Sequence, residues 1–220
     1  MPRLQSMVRW TARVLFTLSS VAVAAYAFAY LYGSYSIANP FAAQFAISGM
    51  DVPLHFFAAG LALLLSPLQL SAAVRRRLPA LHRASGWLYV GAILLAAPSG
   101  LSLAFGAQGG LASGAGFALL ALMWPVVTLR GVLLAVAGDT AGHRRWMSRS
   151  VALTFTAVTL RVALVVGTGM LQLPFMAVYI TAAWASWLLN LAVCELILRW
   201  PASPARAAGG TRWALRPTRA

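Results

Sequence analysis

The chain has 220 residues, 61% of them hydrophobic and 9% charged, and its seventeen basic and three acidic side chains give a formal charge of +14. Nothing in it is polar and long enough to fold as a separate soluble domain, so a single membrane-embedded domain is expected. Every basic residue is arginine, which fits a GC-rich bacterial genome; because these arginines flank apolar runs and are not interleaved with stacking aromatics, the composition points to a bilayer with anionic headgroups and away from nucleic acid.

Six runs have about the twenty apolar residues that a hydrocarbon core requires: 14–33, 54–74, 86–106, 115–137, 150–171 and 175–198. Arg3, Arg9 and Arg13 precede the first. Within it Ala27-Phe28-Ala29 resembles a signal-peptide cleavage site, but a secretory apolar region is only about 7 to 15 residues, so a retained helix is expected. Arg75, Arg76, Arg77 and Arg83 separate the second and third runs. Arg144, Arg145 and Arg149 separate the fourth and fifth, and Arg199, Arg206, Arg212, Arg216 and Arg219 follow the sixth. Fifteen of the seventeen arginines thus fall on one side, while the connections 34–53, 107–114 and 172–174 hold none. The expected architecture is all-α: a polytopic bundle of six transmembrane helices in the cell membrane, with both termini cytoplasmic. Residues 200–220, rich in Pro, Ala, Gly and Arg, read as a basic, disordered tail on the inner leaflet. The lone Cys194 excludes an internal disulfide.

Polar side chains inside the spans are costly and mark candidate sites. In the second span His55, Ala59, Ala62, Ser66, Gln69 and Ala73 follow helical spacing, and in the sixth Tyr179, Ala183, Ser186 and Asn190 do the same, giving small or polar faces suited to close helix packing. Pro67, Pro98 and Pro125 fall inside the second, third and fourth spans. Arg130 is about two turns from the inner end of the fourth and can snorkel to the cytoplasm. Arg161 lies about 16 Å past Ser150, near the midplane. Glu195, the one carboxylate within a span, pairs most simply with Arg199 four residues on. Arg161 is then left to carbonyls, hydroxyls and amides such as Gln69 and Asn190, or to an anionic group of a ligand or lipid. His143, Ser150 and Thr154 share its helical face.

His82 and His143 sit near the inner ends of the third and fifth spans, each followed by arginine, whereas His55 belongs to the outer end of the second. Two imidazoles from facing helices suffice for a b-type haem, with arginines for its propionates; His55 would be too distant to join. Asp51 and Asp139 lie on opposite faces, so no structural or hydrolytic metal site is expected. The paired phrases His82-Arg83 and His143-Arg144 are the only hint of an internal repeat. No nucleophile with a histidine and acid at a recognised spacing, phosphate-cradling loop or cysteine pair is present, and no reaction is assigned.

Several phrases together resemble a known family: Leu54-His55 with Ser66-Pro67-Leu68-Gln69, Leu81 through Tyr89, His143 through Ser150, and Leu153-Thr154-Phe155 through Leu160-Arg161. The chain is similar over this stretch to the bacterial predicted membrane proteins known as domain of unknown function 2306. The resemblance implies that His55, Gln69, His82, Arg83, Gly86, Tyr89, His143, Arg144, Trp146, Met147, Arg149, Thr154 and Arg161 stand at the family's motif positions. It supplies no activity. Histidines on a small helical bundle also make the family look like b-type cytochromes and ferric reductases, an analogy of architecture alone.

The reading that follows is a polar cavity in the inner half of the bundle, lined by His82, His143, Arg161 and Gln69 with Arg130, that binds haem or another anionic ligand, with electron transfer as its use; Tyr89, Thr154 and His55 complete the candidate residues. A small anion or solute transporter, with Arg161 as its midplane contact, is the alternative. A non-catalytic bundle that forms a homo-oligomer or assembles with another membrane protein is the third.

Overall fold

The computed structural model describes residues 2–32 and 49–199, and every regular element among them is helical. The helices are α1 (Pro2–Tyr32), α2 (Asp51–Leu70), α3 (Ala72–Arg77), α4 (Pro79–Phe105), α5 (Leu111–Val136), α6 (Thr140–Thr154), α7 (Thr156–Leu164) and α8 (Phe175–Arg199), with a π-helical segment, Val165–Met170, closing α7. Six stretches among the described residues are long and apolar enough to cross a membrane, the fifth being Thr140–Met170, where α6, α7 and the π-helical segment run on as one. Residues 200–220 and most of the 34–53 connection lie outside the described residues.

Helices outrun the apolar runs mainly at one end of the bundle, the arginine-rich end. Pro79, whose fixed φ suits a first helical turn, starts α4 well before the apolar run at 86. Asp139 starts α6 by accepting the backbone N–H of Gly142 at 2.8 Å, before the run at 150. The second span does the reverse: it stops at Leu70, shortly after Pro67. Ser71 is extended (φ −72°, ψ 111°), and its hydroxyl accepts from the Val74 N–H to open the short α3, which carries Arg75, Arg76 and Arg77.

Packing relies on small side chains, since lipid supplies no hydrophobic force between helices. Ala58 and Ala62 of α2 and Ala92 and Ala96 of α4 are buried where these two helices lie along each other. A Cβ on Gly131 would meet Met147 Sδ at 2.7 Å, and one on Gly167 would meet Val178 Cγ1 at 2.6 Å. Glu195 differs from expectation. Its main partner is Arg149 of the neighbouring span, through Nε to Oε1 at 2.5 Å and Nη2 to Oε2 at 3.2 Å, while Arg199 stands at 3.6 Å. The fork of Arg149 reaches both carboxylate oxygens, which an exposed arginine one turn along the same helix does not.

Candidate functional site

At the centre of the bundle Tyr89 is fully buried, and its hydroxyl lies 2.9 Å from Ser150 Oγ and 2.7 Å from Thr154 Oγ1. Thr154 also accepts from Trp124 Nε1 at 3.0 Å, and Thr128 Oγ1 lies 2.7 Å from Ser150 Oγ. This cluster ties α4, α5 and α6 together and holds Thr154 and Trp124 in the floor of a hollow above it. One turn toward the arginine-rich end, Gln69 Nε2 donates to Ser85 Oγ at 2.8 Å.

The hollow is a chamber of about 340 Å³, near the lower end of the range for small-ligand sites. Its walls are mostly aromatic and aliphatic: Tyr26 and Tyr30 from α1, Phe56 and Ala59 from α2, Ala96 and Ala97 from α4, Phe117 and Trp124 from α5, Leu160 from α7 and Tyr179 from α8. Two ionisable nitrogen groups, Arg161 and His55, are set among them. Both also wall a smaller hollow of about 60 Å³ against α1, so they stand between two voids.

Arg161 donates from Nη1 to the carbonyl of Ala157 at 2.8 Å, and its guanidinium carbon lies 5.3 Å from the centre of the Tyr26 ring. No carboxylate meets it. The sequence contains three acids, and each is engaged elsewhere: Asp51 with Ser102, Asp139 at the start of α6, Glu195 with Arg149. The chain therefore supplies no side-chain counter-charge for a cation inside the bundle, and Arg161 is suited to an anionic or oxygen-rich head brought from outside. Thr156 Oγ1, buried in the same wall, has no hydrogen-bond partner among the described residues.

His55 is fixed by two contacts. Nδ1 lies 2.8 Å from the carbonyl of Ala96, and the ring rests on Gly100, where a Cβ would come within 2.8 Å of Cε1. A carbonyl only accepts, so Nδ1 carries hydrogen and Nε2 is the nitrogen left for the chamber.

Of the residues singled out from sequence, the chamber gathers Arg161, His55 and Thr154, with Tyr89 directly behind. His55, expected to be too distant to join His82 and His143, lines the chamber with Arg161. His82, His143, Gln69 and Arg130 line neither hollow. His143 is held at the arginine-rich end by its Nδ1, 2.8 Å from the Gly131 carbonyl. His82 lies within electrostatic reach of His143, Arg75 and Arg83, and its buried Nδ1 has no partner among the described residues. Arg130 stacks on Trp146 at 4.8 Å, and Arg149 lies 4.9 Å from the same ring. Asn190 binds Thr159 and the Ala152 carbonyl, not Arg161. Tyr26, Tyr30, Phe56, Gly100, Trp124 and Tyr179 line the chamber and were not read from sequence as ligand-facing. Among the described residues no three His, Cys, Asp or Glu side chains could together hold a metal ion.

No curated protein and no solved structure matches the chain. Residues 52–198, from the start of α2 almost to the end of α8, match the family described as predicted membrane protein (DUF2306). With six membrane-length helices and a match over most of its length, the chain is a multi-pass integral membrane protein and belongs to the DUF2306 family.

Proposed function

We propose that the protein binds, inside the bilayer, a slender amphipathic molecule whose negatively charged head rests on Arg161 and whose apolar body fills the aromatic chamber. One observation carries this reading: Arg161 lines a cavity within the bundle while every acidic side chain of the chain is engaged elsewhere. His55 and Thr154 add polar contacts beside it, and Tyr89 holds Thr154 in place. With the arginine-rich end cytoplasmic, as positive loops require, the protein is a cell-membrane protein whose chamber opens in the half away from the cytoplasm. The arginines of residues 200–220 suit anionic headgroups. The test is equilibrium binding of dodecyl sulfonate to the protein in lipid nanodiscs. Saturable binding that weakens about tenfold or more in Arg161→Gln is the expected result. Binding indifferent to that change overturns the reading.

A second reading has its own observation. His82 and His143 lie within electrostatic reach of each other among arginines, and each keeps a ring nitrogen without a partner among the described residues. Two such imidazoles are the donor type that a b-type haem takes axially, and arginines suit its propionates. Protein purified from haem-replete cells would then show a Soret band that His143→Ala abolishes; colourless protein removes this reading.

A further inference from the structure

We infer that the ligand is a lipophilic weak acid, a long-chain carboxylic acid drawn from the bilayer, and that His55 Nε2 takes the acid's proton as the carboxylate settles on Arg161. This rests on the reading of the chamber as a site for an anion-headed amphipath and specifies its head. The starting point is charge. The chamber holds one guanidinium, which matches one negative charge; a phosphate monoester brings nearly two. A single planar carboxylate also fits the guanidinium fork.

The route to the chamber adds the second constraint. One wall of the chamber is α1, which lies along α2 and meets α7 only sparsely. A ligand arriving there crosses hydrocarbon, where an ion is costly and a protonated acid is not. On arrival the acid must lose its proton to become the partner of Arg161, and His55 is the one lining side chain with a ring-nitrogen lone pair to receive it. Around His55, α1 contributes Tyr26 and Tyr30, the fifth span Arg161 and α8 Tyr179. On its own helix Asp51, one turn away, is held by Ser102. The groups that α4 and α5 present are Ala96, Gly100, Phe117 and Trp124, none of which titrates. With Nδ1–H committed to the Ala96 carbonyl, the neutral ring holds its lone pair on Nε2.

The step balances within the chamber. The O–H bond of the acid breaks, an N–H bond forms on Nε2, and a neutral acid with a neutral ring becomes a carboxylate with an imidazolium. The summed charge stays that of Arg161, so no ion is carried through lipid. The carboxylate then lies between two cations and offsets the repulsion between them.

The experiment uses protein carrying ¹⁵N-labelled histidine in nanodiscs, titrated separately with dodecanoic acid, its methyl ester and dodecyl sulfonate. Dodecanoic acid is expected to bind and to change the His55 ring from one protonated nitrogen to two. The ester, with no proton to give and no charge to form, is expected to bind about tenfold or more weakly. His55→Gln should weaken the acid about tenfold and the sulfonate by less than about threefold. If the acid binds while the ring stays neutral, the proton handover is overturned and the anion chamber stands. If the ester matches the acid, if neither the acid nor the sulfonate binds, or if Arg161→Gln changes nothing, the chamber reading falls as well. The spectrum is read on the unaltered chain, so a variant that fails to fold leaves the test decisive.

Discussion

Tyr89 shows what a single hydroxyl does where no water competes. It joins Ser150 and Thr154, and through them Trp124 and Thr128, so that three helices share one polar knot in an apolar medium. Hydrogen bonds between membrane helices average about 0.6 kcal/mol each, because the unfolded reference also finds partners. Tyr89→Phe is therefore expected to cost about 1 kcal/mol in unfolding from mixed micelles, not the several that full orphaning would suggest. Gly100 makes a sharper case. Gly→Ala inside a helix normally gains about 0.5 to 1 kcal/mol, and Gly91→Ala, with nothing within 4 Å of the new Cβ, should show that gain. At Gly100 the same methyl meets the His55 ring at 2.8 Å. Gly100→Ala should therefore show no gain, shift the His55 ring resonances and weaken ligand binding.

Among elements, the fork between Arg149 and Glu195 joins the fifth and sixth spans at the arginine-rich end. Both side chains keep some exposure, 23% and 31%, so the tie is modest. Glu195→Gln should lower stability by about 1 kcal/mol, and by less at high salt; Arg199→Ala, removing an exposed group 3.6 Å away, should change it by less than about 0.3 kcal/mol in the same unfolding measurement. Helix ends were the least legible elements in the sequence. Hydropathy marks where lipid can begin, but a helix also extends through arginine and histidine when a cap such as Asp139 or a first-turn proline such as Pro79 starts it outside the hydrocarbon. Counted from Ser150, Arg161 stands near the midplane; in the helix that begins at Thr140 it is roughly six turns along, and it lines the same hollow as His55.

At the scale of the molecule, the alternation of arginine-rich and arginine-free connections makes a topological prediction. Single cysteines placed at Gln108 and Gly138, in a background of Cys194→Ser, are expected to react with impermeant reagents from opposite sides, Gly138 from the cytoplasm. Labelling of both from one side would refute the six-span path. Hydropathy and charge accumulate along the chain, residue by residue, so the six spans, the helical class, the family and a guanidinium without an acid partner could be read from the letters alone. The chamber could not. It is the space left between helices, and its position depends on how far each is rotated and shifted against its neighbours, which Ala96, Gly100 and Gly131 decide by letting particular helices approach. Only that packing brought His55, far from Arg161 in sequence, to the same hollow.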